Sequence, residues 1–198
     1  DLFAIKVRFK DISKSKLDLM LVNLAGRLPP RINIDGREPS DKVLIEKWSV
    51  VRGNLESGGA LYHELAFPAA QNIESKLVYV FRGKNCVTSI SQCNVIYAAD
   101  GESISTFVQH AYANKINLDQ FVFVGVPNPA AKRMEELLYG RNQSIFNAFM
   151  NFVAIDLRKA IEKDEQPKAR YVAGYSNGGA WALDALILNS DKFDGAIV

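Results

Sequence analysis

The sequence predicts an α/β protein in which a mostly parallel, doubly wound sheet follows a β-rich N-terminal region. Short strand-like segments separated by glycine turns predict the first region, over residues 1–83. Strand and helix patterns that alternate from about residue 94 onward predict the second, over residues 84–198. Within it, Phe121–Val126 is apolar at almost every position, as expected for a parallel strand buried on both faces.

The N-terminal region has the two-residue period of half-buried strands. Phe3, Ile5 and Val7 fall on one face of residues 3–9, and Lys6 and Arg8 fall on the other. Further strand candidates are residues 17–24, 43–51, 60–67 and 77–81. A β-sandwich module is one interpretation of this region. In a second interpretation, residues 60–92 supply the first antiparallel strands of the α/β sheet.

The second region alternates between strands and helices along the chain. In order, the predicted elements are a strand over residues 95–99, a helix over 103–115, a strand over 121–126, a helix over 144–163, a strand over 171–173, a helix over 177–188 and a strand that begins at residue 193. Ile155 lies off the apolar stripe of the long helix. This alternation is typical of a parallel sheet with crossover helices.

Composition and charge exclude several classes of protein. The chain has 198 residues, with 24 Lys and Arg against 22 Asp and Glu, so its charge does not indicate a nucleic-acid-binding protein. Apolar residues make up 48% of the chain, which is typical of a folded globular protein. No apolar run approaches the roughly 18 residues of a membrane helix. The sequence has no P-loop and no cluster of metal ligands, so we expect no cofactor and no metal.

The two cysteines, Cys86 and Cys93, lie close together in the sequence. They can close a small loop as a disulfide in an oxidising compartment, or they can remain two reduced thiols. The sequence leaves both states open. A zinc site is not expected, because neither a histidine nor a second cysteine pair lies nearby.

The segment Gly174-Tyr175-Ser176-Asn177-Gly178 carries the chemistry of this sequence. It is a G-x-S-x-G motif that directly follows a predicted strand and directly precedes a predicted helix, which is the context that a nucleophile elbow requires. The tight turn strains the backbone at the serine, and glycines at 174 and 178 have no Cβ to collide across it. A glycine-containing helix cap is the alternative interpretation of this motif alone.

Several landmarks beyond the motif resemble one family. From about residue 95 to residue 198, the chain resembles the esterase family of α/β-hydrolases that includes esterase D-like enzymes, enterochelin esterases and mycolyltransferases. Four segments carry the resemblance in the family's order: the strand that ends at Asp100-Gly101, the strand around Gly125, the Arg133-x-x-Glu136-Leu137 element, and the elbow from Arg170 to Gly179. More loosely, parts of residues 48–81 resemble the β-sandwich modules that precede some of these esterases.

The resemblance implies a role for each site residue. Ser176 would be the nucleophile, and the backbone amides of Asn177 and Glu102 would donate hydrogen bonds to the oxyanion. Gly174 and Gly178 would be the elbow glycines. Asp100 would form the turn after its strand and would not be a catalytic acid. Arg133 and Glu136 would form a structural ion pair near the site.

The chain lacks an obvious general base for Ser176. Its two histidines are His63, in a predicted strand, and His110, in a predicted helix, and we expect both to be structural. The chain continues for 22 residues after Ser176 without a histidine, although the fold places its acid and then its histidine there. We therefore expect the catalytic acid and histidine to lie beyond residue 198, and this chain by itself to be inactive.

The sequence thus predicts a serine ester hydrolase that acts through an acyl-enzyme on small-molecule esters. Two alternatives stay open. An acyltransferase would differ only in the acceptor that enters the site, and a non-catalytic protein would use the same scaffold to bind a ligand. The last predicted strand would leave a sheet edge exposed, through which two copies of the chain could pair.

Overall fold

The computed structural model describes residues 60–198, which form one six-stranded sheet with helices on both faces. The strands are β1 (Leu61–Phe67), β2 (Lys76–Arg82), β3 (Asn94–Ala99), β4 (Phe121–Val126), β5 (Ala169–Ala173) and β6 (Gly195–Ile197). They lie in the order β1-β2-β4-β3-β5-β6. Strand β2 pairs antiparallel with β1 and β4, and the remaining pairs are parallel.

Five α-helices connect or follow these strands within the described residues. They are α1 (Ile104–Ala113), α2 (Arg133–Leu137), α3 (Gln143–Asn151), α4 (Arg158–Glu162) and α5 (Asn177–Leu188). Short 3₁₀ turns lie at Lys84–Cys86 and Gly101–Ser103. The mixed α/β class predicted from the sequence is confirmed, and each predicted element from residue 95 onward is present. Only the short helix α2 was absent from the prediction.

The central strands β3 and β4 are buried on both faces, which explains their almost continuous apolar sequences. On β4, Val122 and Val124 belong to the apolar cluster under helices α3 and α5, whereas Phe123 belongs to the cluster under α1. The same alternation holds on β3, where Tyr97 packs on the first side and Ile96 on the second. A strand that is buried on both faces has apolar side chains at successive positions, so its sequence is an uninterrupted apolar run.

The long predicted helix over residues 144–163 contains a local change of winding. A π-helical segment, Phe152–Leu157, joins α3 to α4. Its extra residue per turn shifts the apolar stripe, so that Phe152 and Leu157 stay buried while Ile155 is 51% exposed. This accounts for the off-stripe position of Ile155 in the sequence pattern.

Strands β1 and β2 belong to the same sheet as β3 to β6, as the second interpretation of residues 60–92 expected. Residues 61–82 thus lie before the predicted boundary at residues 83 and 84 but belong to the sheet that continues after it. They join it because β2 pairs with β4, which is distant in sequence. The proposed sandwich and the strand candidates before residue 60 lie outside the described residues.

The connections create a crevice at the carboxyl ends of β3 and β5. The chain leaves β3 through α1, which covers one face, and leaves β5 through α5, which covers the other. Neighbouring parallel strands whose helices diverge to opposite faces leave an open crevice between their carboxyl ends, and ligands of α/β proteins bind at such points. The Asp100-Gly101 turn and the G-x-S-x-G motif both lie there.

Cys86 and Cys93 form a disulfide, with their Cα atoms 6.0 Å apart. Both residues are fully buried at the end of the sheet opposite the crevice. The bond closes the loop between β2 and β3, which settles in this structure the alternative that the sequence left open.

A buried ion pair joins β2 to α2. Lys76 Nζ lies 2.8 Å from Glu136 Oε1, and the two side chains are 1% and 2% exposed. Lys76 also donates a hydrogen bond to the Pro127 carbonyl at 2.9 Å. The predicted ion pair between Arg133 and Glu136 is wrong. On the short helix α2, Glu136 faces the interior, where Lys76 neutralises it, whereas Arg133 faces the Asp100 turn.

We expect Glu136→Gln to destabilise the chain by about 3 kcal/mol, because it leaves the Lys76 ammonium buried without a counter-charge. The double variant Lys76→Met/Glu136→Gln should lose less than the sum of the two single variants, since it removes both charges. Urea unfolding of the four proteins measures this coupling. Strictly additive losses would show that the two charges do not depend on each other.

Replacing both cysteines by alanine should lower the free energy of unfolding by about 2–3 kcal/mol, the value expected for a disulfide that closes a loop of this size. Urea unfolding with and without reductant checks this. Reductant should shift the wild-type chain towards the double variant and leave the double variant unchanged. Two titratable thiols in the unreduced, denatured chain would contradict the disulfide.

Candidate active site

The segment Gly174–Gly178, called the elbow below, turns the chain sharply from β5 into α5. A Cβ added at Gly174 would lie 2.1 Å from the Gly178 carbonyl oxygen, so only glycine allows the two arms of the turn to approach this closely. Gly174 N–H donates to the Ile197 carbonyl at 3.0 Å, and Gly178 N–H donates to the Tyr175 carbonyl at 2.9 Å. These bonds anchor the elbow to β6 and close its turn.

Ser176 stands at the apex of the elbow in a strained conformation. Its φ of 55° and ψ of −116° lie in a region that residues with a side chain rarely adopt, at a cost of about 1–3 kcal/mol. Lys163 has nearly the same angles at the end of α4, so the conformation alone does not identify a site. The position of Ser176 between a buried strand and the first turn of α5 is what sets it apart. Its side chain is exposed at the crevice.

The second turn at the crevice, Asp100–Ser103, is called the Asp100 turn. Asp100 has a left-handed conformation, with φ 52° and ψ 47°, so it forms the turn as predicted. A Cβ added at Gly101 would lie 2.1 Å from the carbonyl carbon of Gly125, and this close approach sets the turn directly against β4. A Cβ added at Gly178 would lie 3.1 Å from Asp100 Oδ2, so the Asp100 turn and the elbow are in contact.

The Asp100 turn has charged and polar partners on the loop and helix after β4. Arg133 donates to both carboxylate oxygens of Asp100, through Nε at 2.6 Å and Nη2 at 2.8 Å. Asp100 N–H donates to Asn128 Oδ1 at 2.9 Å. The Asn128 side-chain amide in turn donates to Glu136 Oε2 at 2.7 Å. The crevice is therefore connected by hydrogen bonds to the buried ion pair.

The structure brings together the sequence-predicted site residues Ser176, Asn177, Glu102, Gly174 and Gly178. Asn177 is the first residue of α5, where backbone N–H groups have no partner within the helix. Glu102 lies in the 3₁₀ turn after β3. Parallel pairing aligns the ends of β3 and β5, since Ala98 is opposite Ala173. The two backbone amides thus lie on adjoining turns at one edge of the sheet.

Side chains around the elbow add apolar surface. Tyr175 is 61% exposed and Met134, on α2, is 39% exposed. Asn177 Nδ2 lies 3.0 Å from Met134 Sδ, so α2 forms a wall next to the start of α5. An apolar acyl or aryl group could pack against these side chains.

The Glu102 carboxyl has a perturbed pKa. Partial burial of the carboxyl group raises the pKa, and the nearby Asp100 charge raises it further. Hydrogen bonds from the backbone N–H groups of Glu102 and Asn128 act in the opposite direction. The Glu102 N–H thus has its own carboxyl group as a partner in this structure, and an oxyanion that accepts from this N–H would displace that carboxyl group.

The two histidines lie in surroundings that agree with structural roles. His63 is on β1, which three strands separate from β5, a distance of about 19 Å at ordinary strand spacing. Burial and then the Arg82 charge lower its pKa. His110 is exposed on α1, about 9 Å along the helix from the end nearest the Asp100 turn.

A separate cleft lies elsewhere on the described part of the molecule. It has a volume of about 610 Å³ and lies between the β1–β2 hairpin and the helix formed by α3 and the π segment, with Phe67, Asn72, Asn147, Phe152 and Asp156 in its lining. Ser176 and the Asp100 turn do not line it. We assign the candidate site to the crevice, because the strained Ser176 and the turns that carry the Asn177 and Glu102 amides are there.

No metal site is visible in the part of the chain that the structure describes, since no three His, Cys, Asp or Glu side chains cluster suitably. Across the same residues, no helix is both long and apolar enough to cross a membrane.

Sequence reasoning missed Asn128 and Lys76 and misassigned the partner of Arg133. Asn128 lies between two prolines directly after β4, and a polar residue at the carboxyl end of a buried strand is a signal that could have identified it. The sequence gives no such signal for Lys76, because it is only a polar residue at the start of a predicted strand. Its burial follows only from the packing of α2 over β2.

Many solved structures match this chain, among them the following three. An IroE-like serine hydrolase from Shewanella oneidensis is 19% identical, over 69% of this chain and 49% of that chain, with a TM-score of 0.53. The siderophore hydrolase EstA from Aspergillus nidulans is 15% identical, over 70% of this chain and 55% of that chain, with a TM-score of 0.52. An enterobactin esterase from Shigella flexneri is 20% identical, over 67% of this chain and 35% of that chain, with a TM-score of 0.50.

No protein-family model matches the chain, and no curated protein matches its sequence. The chain spans between about a third and just over a half of the three matched structures, which it covers to 49%, 55% and 35%. The strand order, the crevice between β3 and β5 and these structural matches together show that the chain has the α/β-hydrolase fold found in esterases.

Proposed function

We propose that this chain supplies the nucleophile and the oxyanion hole of a serine ester hydrolase. The observation that carries the proposal is the position of Ser176 at an exposed elbow between β5 and α5, where it is held in a strained conformation with φ 55° and ψ −116°. Strain of this kind persists only where the surrounding structure enforces it, and it is typical of active sites. Hydrolase names among the matched structures support the same reaction class.

In the first half of the reaction, Ser176 Oγ attacks the carbonyl carbon of the ester and gives its proton to a general base. The carbonyl oxygen becomes an oxyanion, which accepts hydrogen bonds from the backbone N–H groups of Asn177 and Glu102. The partial positive charge at the start of α5 favours the same negative charge. The carbon–oxygen bond to the alcohol then breaks, and the alcohol leaves with the proton held by the base.

In the second half, water attacks the acyl-enzyme and the same base accepts its proton. The acid product leaves, and Ser176 regains its proton. A serine hydroxyl is a weak nucleophile without a base, and His63 and His110 are not suited to this role. We therefore propose that the base and its acid partner come from a part of the protein outside residues 1–198.

The substrate that we propose is a small-molecule ester with an apolar or aromatic acyl group. Tyr175 and Met134 provide exposed apolar surface next to Ser176. Two of the matched structures are named as a siderophore hydrolase and as an enterobactin esterase. Transfer of the acyl group to an alcohol acceptor would use the same nucleophile and differ only in its second half.

A non-catalytic ligand-binding protein is the second candidate. The observation that favours it is the position of both histidines away from the elbow. Such a protein would retain the scaffold and the crevice without a reactive serine. Covalent labelling of Ser176 separates the two candidates.

Ser176→Ala should lower kcat/KM for p-nitrophenyl acetate by at least about 10³-fold in the full-length protein that contains this chain, because it removes the attacking oxygen. The 198-residue chain should have no measurable turnover. A fluorophosphonate probe should label the full-length protein but not Ser176→Ala.

Ser190→Ala is the matched control, since Ser190 is an exposed serine just after α5. It should keep both the esterase rate and the labelling. Activity that survives in Ser176→Ala would exclude Ser176 as the nucleophile. A full-length protein that neither hydrolyses the ester nor reacts with the probe would favour the ligand-binding candidate.

A further inference from the structure

The Asp100 turn has an energetically unfavourable backbone that requires support. Asp100 is a non-glycine residue with a φ of 52°, a conformation that costs about 1 kcal/mol or more. The turn carries the backbone amide of Glu102, and small changes in its φ and ψ would re-aim that N–H group. Whatever holds Asp100 therefore also sets the direction of the Glu102 amide.

Arg133 holds the carboxylate of Asp100 through two parallel bonds of 2.6 and 2.8 Å. A bidentate pair of this type fixes orientation as well as distance. Both side chains are 29% exposed, so solvent screening keeps the contribution of the pair to overall stability small. A contact that fixes the orientation of a group but adds little to overall stability is suited to positioning that group.

The Asp100 carboxylate also adjoins the elbow. A Cβ on Gly178 would come within 3.1 Å of Asp100 Oδ2, so the carboxylate lies against the first turn of α5. An uncompensated negative charge there would oppose an oxyanion formed at Asn177 and Glu102. The Arg133 guanidinium, which is bonded to both carboxylate oxygens, neutralises that charge.

A second contact supports the turn from the buried side. Asn128 is 4% exposed, and its side-chain amide donates to Glu136. Because a carboxylate accepts only, the nitrogen of Asn128 must face Glu136 and its oxygen must face the Asp100 N–H. The backbone of the turn is thus held by Asn128, and its side chain is held by Arg133.

We propose that Arg133 is a positioning residue for the reaction: through Asp100 it aims the Glu102 amide at the oxyanion and cancels the Asp100 charge beside it. This inference rests on the proposed function of Ser176. It assigns to Arg133 a role that the sequence did not indicate, since the sequence paired Arg133 with Glu136.

The test compares Arg133→Met, Arg133→Lys and the double variant Asp100→Asn/Arg133→Met in the active full-length protein, with p-nitrophenyl acetate as substrate. We expect Arg133→Met to lower kcat about 10- to 100-fold, somewhat less than removal of an oxyanion donor, with KM and the melting temperature nearly unchanged. Arg133→Lys should recover only part of the rate, because lysine makes no bidentate pair. The double variant should recover part of it as well, because no unpaired charge remains.

Affinity for a phenylboronic acid provides a readout that a purely structural role would not change. The inhibitor forms a tetrahedral, anionic adduct on a serine, so its affinity should fall in parallel with kcat. Arg158→Met is the matched control: the Arg158 side chain is also 29% exposed and also pairs with a glutamate, Glu162, but it lies on α4, away from the crevice. It should leave kcat and inhibitor affinity unchanged.

Wild-type kcat and boronate affinity in Arg133→Met would overturn the inference, and so would an equal loss in Arg158→Met. The inference would also be overturned if the loss of kcat in Arg133→Met only matched its unfolded fraction, and the folded double variant Asp100→Asn/Arg133→Met were no faster than Arg133→Met. Ser176→Ala in the same panel separates the two hypotheses. If Ser176→Ala stays active, the proposed function fails and this inference fails with it; if Ser176→Ala is inactive and the Arg133 variants are normal, only this inference fails.

Discussion

Parallel pairing of β3 with β5 is the constraint on which the site depends. In this register Ala98 lies opposite Ala173, so the two strands end at the same edge of the sheet. Asp100 follows Ala98 by two residues, and Ser176 follows Ala173 by three. The helices that follow then cover opposite faces of the sheet. The crevice between them is a consequence of that divergence, and a shift in the strand register would separate the elbow from the Asp100 turn.

Backbone atoms, more than side chains, determine how closely the two turns approach. Gly174 and Gly101 each occupy a position where a Cβ would lie about 2 Å from another backbone atom, at 2.1 Å in both cases. Ser176 and Asp100 have positive φ values of 55° and 52°. Two of the five non-glycine residues with positive φ among the described residues therefore lie on these two turns, and the hydrogen bonds and packing of the remaining sheet maintain them.

The charged groups near the crevice have two different functions. Lys76 and Glu136 are buried, with side chains 1% and 2% exposed, and a buried pair adds little net stability because desolvation offsets the attraction. Its effect is to orient Asn128 and to fix α2 over β2. Arg133 and Asp100 are partly exposed, so their pairing costs little desolvation free energy. Its effect is on the geometry of one turn. The two pairs are connected through Asn128.

Local patterns in the sequence were sufficient to predict most of the strands and helices and the elbow. The almost continuous apolar run of β4, the glycines around Ser176 and the small residues of α5 are short-range signals, because steric limits and burial act on neighbouring residues. They predicted the α/β class and the G-x-S-x-G elbow at Ser176, whereas the place of Glu102 beside Ser176 was implied by the resemblance to the esterase family. The partners of Arg133, Glu136 and Asn128 and the membership of β1 and β2 in the sheet were decided only by the tertiary structure. These contacts join residues as far apart in sequence as Lys76 and Glu136. Which side chain of α2 faces the protein interior depends on what packs against that helix.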